Sequence, residues 1–151
     1  MSRKGTERLI VALDVPTAAR ARELVETLAT SGCAFKLGLE LLYAEGPSLV
    51  RDLARAGRLF VDVKLHDIPN TVAGAARALA QRGAWLLTVH VAGGRAMCEA
   101  ALAAAAEGAA QAGVPRPLVV GVTVLTSLDE AALADELGHA RPVADEVLRR
   151  A

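Results

Sequence analysis

Aromatic residues are nearly missing from this 151-residue chain: Phe35, Tyr43, Phe60 and Trp85 are all it has. That excludes stacking platforms of the kind that hold single-stranded nucleic acid. Charge of one sign is missing too, since seventeen basic residues face seventeen acidic ones. The electrostatic footprint of a nucleic-acid or anionic-membrane binder is therefore not there. Cysteine is scarce, and Cys33 and Cys98 show neither metal-type spacing nor a disulfide framework. Two reduced thiols in a cytoplasmic protein are the expectation. Long hydrophobic runs are lacking. The opening through Arg8 is polar, so no secretory signal is expected. The Ala-rich stretch from Ala96 to Ala112 is interrupted by Glu99, Glu107 and Gln111, and it reads as a soluble helix, not a membrane span.

What is present is the composition of one globular domain with a substantial core: 53% hydrophobic and 23% charged. Apolar, β-branched runs at Leu9–Leu13, Ala34–Leu37, Leu59–Leu65, Trp85–Val89 and Leu118–Thr123 predict strands. Their starts are 25, 25, 26 and 33 residues apart, about the length of one strand, one helix and two short loops. The segments between are rich in Ala, Leu and Arg and are patterned as helices. Thr17 after Pro16 predicts a helix N-cap, and Gly32 a stop. Gly46-Pro47 breaks the second connection, Pro69 opens the third helix and Gly83 closes it. Residues 1–151 read as a single α/β unit with no second domain.

An open doubly wound sheet and a (β/α)8 barrel both fit this alternation. Asp14, Lys36, His90 and Thr126 all lie at or just past the C-terminal end of a predicted strand, where functional groups collect in either fold. The third strand discriminates. Period-2 alternation puts Asp62 and Lys64 on one face and Val61, Val63 and Leu65 on the other. A doubly wound sheet would bury that charged pair under helices, whereas a barrel points it into a central mouth. The barrel is preferred.

Lysine is the remaining scarcity: Lys4, Lys36 and Lys64 stand against fourteen arginines. Two of the three sit in strands, which suggests a task arginine cannot perform, because a lysine can release its proton and a guanidinium effectively cannot. The alternative is a pair of lysines matched to acids for structural reasons. Asp62, Lys64 and Asp67 together form a cluster that keeps the lysine protonated and oriented as an acid. A buried ion-pair network that merely fixes the barrel is the competing reading.

The run Asp62-Val63-Lys64-Leu65-His66-Asp67-Ile68-Pro69-Asn70-Thr71 resembles the signature of the orotidine 5′-phosphate decarboxylase family, bacterial type. Leu9 to Asp14, Phe35 to Gly38, Val89-His90 with Gly93-Gly94, and Gly121 to Ser127 resemble the family's first, second, fourth and fifth strands in order. The resemblance implies cofactor-free and metal-free decarboxylation of orotidine 5′-phosphate to UMP. It implies that Lys64 is the proton donor, that Asp62 faces the substrate carboxylate, and that Lys36 and Asp67 complete a charged network. It also implies substrate contacts from Asp14, Ile68, Thr71 and Thr126, with His90 and Ser127 as further candidates, His90 having an equally good reading as a residue that shapes the mouth. Asp67 and Thr71 would reach into a partner subunit's site, which implies a homodimer.

Two other readings stand beside this one. Sugar-phosphate decarboxylases and hexulose-phosphate synthases of the same superfamily share the Asp-x-Lys-x-x-Asp core but hold Mg2+ with an acid at the end of the second strand. Lys36 occupies that position here and would repel the cation, and Glu40 beyond it reads as a solvated helix residue. The second reading concerns length. A (β/α)8 barrel usually takes about 250 residues, and five βα units account for this chain. No residue matches the family's phosphate-binding loops. A truncated chain or half of a split assembly, inactive alone, is therefore an expectation to weigh.

Overall fold

The structure, a computed structural model, describes residues 5–139 and 141–151; Lys4 lies outside them. Every predicted strand forms. β1 (Ile10–Ala12), β2 (Ala34–Gly38), β3 (Leu59–Leu65), β4 (Leu86–His90) and β5 (Leu118–Val122) make one parallel sheet in the order β1-β2-β3-β4-β5. The spatial order is the chain order, with no reversal. Right-handed crossovers then lay the helices that connect the strands on one face, whereas a doubly wound sheet needs a switch point to cover both. This is barrel-type winding, and among the described residues it leaves the other face of the sheet without connecting helices.

The helices begin and end where the local chemistry dictates. α1 (Ala18–Leu28) is capped by Thr17, whose Oγ1 accepts the Arg20 N–H at 3.3 Å, and it buries Ala18, Ala21 and Val25 along one stripe. Gly32, at φ 80°, turns the chain into β2. The Gly46-Pro47 break splits the second connection into two short helices, α2 (Leu39–Glu45) and α3 (Ser48–Ala54). α4 (Pro69–Gln81) starts on its proline, as a first-turn proline should. It packs against the Ala-rich α5 (Arg95–Ala112) so closely that a Cβ on Gly108 would lie 2.6 Å from the Arg77 carbonyl oxygen. After β5 come α6 (Glu130–Asp135), capped by Asp129, and α7 (Val143–Arg150).

The core lies between sheet and helices. Leu13, Phe35, Leu37, Leu59, Val61, Leu87 and Val89 from the strand side meet Val50, Leu53, Val72, Ala76 and Met97. Each fully buried Leu or Phe contributes roughly 1.5–3 kcal/mol by its removal from water. Cys33 and Cys98 are free thiols. Among the described residues, no strand pairs with the outer edges of β1 and β5, and Ile10, Leu118 and Val120 are exposed on that uncovered side. No described helix is long and apolar enough to cross a membrane.

Glu146 pins α7. It is fully buried beneath Arg149 and Arg150, which donate to its carboxylate at 2.6–2.9 Å, and Arg150 reaches on to the Thr123 carbonyl at 3.4 Å. The hydrogen bonds from Arg149 and Arg150 pull the Glu146 carboxyl down to about 2.

Candidate active site

The inner face of the sheet gathers the polar side chains at its C-terminal end. On β3, Val63 and Leu65 turn outward and line an apolar groove of about 410 Å3 with Leu39, Leu42 and Leu79, whose one charged wall residue is Arg82. That groove lies on the opposite face of β3 from Asp62 and Lys64. Asp62 and Lys64 turn the other way, as alternation requires, and meet: Lys64 Nζ donates to Asp62 Oδ1 and Oδ2, both at 2.9 Å.

The backbone beneath this pair is not a regular strand. From Val61↔Leu87 to Leu65↔Val89, β3 advances four residues while β4 advances two, so the ladder is interrupted by a bulge. Inside it Lys64 adopts φ 47°, and it is the one described non-glycine residue with positive φ. A side chain in this region costs on the order of 1–2 kcal/mol. The orphaned Lys64 N–H donates instead to Thr88 Oγ1 at 3.0 Å, and the Thr88 hydroxyl donates to Asp62 Oδ1 at 3.0 Å. Thr88 is 4% exposed. Sequence reasoning passed over it; the available signal was a polar residue on the same strand face as His90, in a strand otherwise made of leucine and valine.

The remaining candidates are distributed around the pair. Lys36, on β2, bonds Asp14 at 3.3 Å, because the register Ala12↔Lys36 puts the end of β1 beside it. Asp67 lies beyond the strand, exposed, with its Oδ1 accepting the Ile68 N–H at 2.6 Å in place of the Lys64 ammonium. The charges therefore stand as two ion pairs and one outlying carboxylate, not as a continuous chain. Ile68 and Thr71 are exposed at the start of α4. Thr126 and Ser127 are exposed in the turn after β5, closed by the Leu128 N–H on the Leu125 carbonyl, and neither touches the ion pairs.

His90 ends β4 with its ring 5.3 Å from that of His66. Burial first, then the charges of His66, Lys64 and Arg150, lower its imidazole below the ordinary range, which keeps it neutral near pH 7. His66, inside the Asp62–Thr71 run, stands against His90 in this mouth without a role that its sequence position signals. Glu40 is exposed on α2. Among the described residues, no three His, Cys, Asp or Glu side chains are grouped to hold a metal ion. Chemically, the site presents an ammonium fixed against a carboxylate on an open face. Such a pair can deliver a proton and set negative charge beside an anionic ligand.

Comparisons with known proteins bear on the family and the fold. The sequence profile of the orotidine 5′-phosphate decarboxylase / HUMPS family matches residues 7–151. A protein from Moorella thermoacetica named orotidine 5′-phosphate decarboxylase is 52% identical over 144 residues, covering 95% of this chain and 57% of its own length. One of the same name from Halorhodospira halophila is 51% identical over 154 residues, covering 100% of this chain and 62% of its own. The crystal structure of orotidine 5′-phosphate decarboxylase from Lactobacillus acidophilus superposes with a TM-score of 0.84 at 34% identity, over 95% of this chain and 64% of that one.

Proposed function

The chain belongs to the orotidine 5′-phosphate decarboxylase / HUMPS family, and from that membership we propose that its site decarboxylates orotidine 5′-phosphate to UMP in pyrimidine nucleotide biosynthesis. The carrying observation is the Lys64 ammonium held 2.9 Å from both oxygens of Asp62, on the sheet face opposite the connecting helices. In the reaction the C6–carboxylate bond breaks and CO2 leaves with the electron pair remaining on C6. Lys64 gives its proton to C6, forming the C–H bond of UMP, and solvent reprotonates the amine. Asp62 orients the ammonium and places its charge against the substrate carboxylate, a repulsion relieved as CO2 departs. Interactions that improve toward the transition state are the ones that raise the rate.

The other residues take supporting roles in this reading. Lys36 and Asp14, paired at the ends of β2 and β1, suit ribose hydroxyls. Thr126 and Ser127 suit further nucleotide contacts, and neutral His90 shapes the mouth. Ile68 is a further substrate contact, and the exposed Asp67 and Thr71 reach the site of a second copy, which makes the working form a homodimer. No cofactor is invoked, because a preorganised charge pair and a positioned acid supply the chemistry. The sugar-phosphate reading of the same family needs an acid at the end of β2 for Mg2+; Lys36 stands there, and its nearest acid, Asp14, is already paired with it.

A second reading is favoured by one set of observations. The chain spans 57–62% of the length of the curated relatives described above, and the edges of β1 and β5 are uncovered beside exposed Ile10, Leu118 and Val120. Open edges and apolar patches seek partners. On this reading the 151 residues bind nucleotide without turning it over. The test measures UMP formation from orotidine 5′-phosphate with and without chelator, alongside UMP titration of 13C-labelled lysines, of which there are three. Chelator-insensitive turnover supports the decarboxylase. A shift at Lys36 and Lys64 without turnover supports the second reading. Neither turnover nor shift overturns both.

A further inference from the structure

We propose that Thr88 is a positioning residue whose hydroxyl holds the Lys64 backbone in its left-handed conformation and aims the Asp62 carboxylate at the Lys64 ammonium. The proposal rests on the decarboxylase reading for its consequence, though not for its geometry. Lys64 N–H, the Thr88 hydroxyl, Asp62 Oδ1 and Lys64 Nζ form a closed ring of contacts at 2.9–3.0 Å. The polarity of that ring is fixed. A hydroxyl has one proton, and Thr88 gives it to Asp62, so toward Lys64 it can only accept.

The position itself argues for a task. β4 reads Leu86, Leu87, Thr88, Val89, His90, and valine is the residue of the same shape that a buried strand position favours. A hydroxyl at 4% exposure costs stability unless its bonds are made. Both of its bonds run to the ion pair. The bulge between Val61 and Leu65 removes the ladder partner of the Lys64 N–H, so Thr88 replaces it. Without the hydroxyl that amide is a half-buried donor with no acceptor in the sheet. The backbone then gains by relaxing toward the ordinary strand conformation, which swings Nζ away from Asp62.

A Thr88 that merely fills the bulge and one that positions the pair differ in what they do to Lys64. The test compares the unmodified chain with Thr88→Val, which keeps the shape and loses the hydroxyl, and Thr88→Ser, which keeps the hydroxyl. Amide hydrogen exchange and the 13Cε resonance of Lys64 are read by NMR, with Leu87 and Val89 amides as controls for global stability. In the unmodified chain the Lys64 amide exchanges slowly. Thr88→Val speeds it at least about tenfold while the controls hold, and it moves the Lys64 13Cε resonance. Thr88→Ser restores both. In the turnover assay Thr88→Val lowers kcat by about tenfold or more with KM changed less than about threefold.

A Lys64 amide that exchanges at loop-like rates in the unmodified chain overturns the proposal, and it does so whether or not the valine variant folds. So does a valine variant that keeps both the slow amide and the resonance. Where the unmodified chain shows no turnover, the decarboxylase reading fails by its own assay, and the Lys64 amide and resonance still decide the role of Thr88.

Discussion

Replacing Lys64 by alanine and by glycine reads out the strain in β3 directly. In an ordinary strand, glycine is the worse choice by roughly 0.5–1 kcal/mol, because it loses more backbone entropy on folding. At φ 47° the balance changes. A Cβ in the left-handed region costs about 1–2 kcal/mol, and glycine does not incur it. Both variants lose the bond to Asp62 and leave the same carboxylate behind, so that loss cancels in the comparison. What remains is the strain less the entropy penalty, which leaves Lys64→Gly more stable than Lys64→Ala by up to about 1.5 kcal/mol. For a domain of this size, 1 kcal/mol corresponds to about 2–4 °C in Tm. Urea denaturation of the two variants, compared at equal slope, measures the difference. An alanine variant more stable than the glycine variant by 0.5 kcal/mol or more, the ordinary strand result, refutes a left-handed Lys64.

Three further predictions follow from other parts of the fold. Glu146 lies near 2 in the folded chain against an ordinary 4.5, so its contribution is fully present above about pH 4.5 and is lost as pH falls through about 2. Glu146→Gln is expected to flatten that part of an acid-unfolding curve, and a curve of unchanged shape contradicts the Arg149–Glu146–Arg150 pin. Gly108→Ala drives a methyl against the Arg77 carbonyl at 2.6 Å and should cost about 1–3 kcal/mol in thermal or urea unfolding; a neutral substitution means that α4 and α5 are not in such close contact. On the homodimer proposed above, Lys64→Ala and Asp67→Ala proteins, each inactive alone, are expected to recover UMP formation when mixed, since a mixed dimer would carry one intact site. No recovery removes Asp67 from the partner's site.

Much of the architecture was legible in the sequence for identifiable reasons. The strands were marked by β-branched apolar runs at regular spacing, and the helix ends by Thr17, Pro69 and the glycines 32, 46 and 83, whose left-handed φ values require glycine or favour it strongly. Alternation placed Asp62 and Lys64 on the face opposite Val61, Val63 and Leu65, and the cost of burying charge under helices turned that face toward the mouth. What stayed hidden depends on strand register. The conformation of Lys64 follows from the bulge against β4, and the role of the Thr88 hydroxyl follows from that conformation; neither is written in β3 by itself. The pairing of Lys36 with Asp14 came from the β1–β2 register. Asp67 was grouped with Lys64 by closeness in sequence, but the turn after β3 sends it to its own backbone neighbour at Ile68.

The central claim is that Lys64, held by Asp62, protonates C6. Its direct measurement is UMP formation from orotidine 5′-phosphate by Lys64→Ala and Lys64→Arg proteins that retain the fold, against the unmodified sequence under conditions where that sequence turns over. Both variants are predicted to lose the activity, alanine because it has no proton to give and arginine because it does not release one. Retention of more than about a few per cent of the unmodified rate by either variant contradicts the assignment.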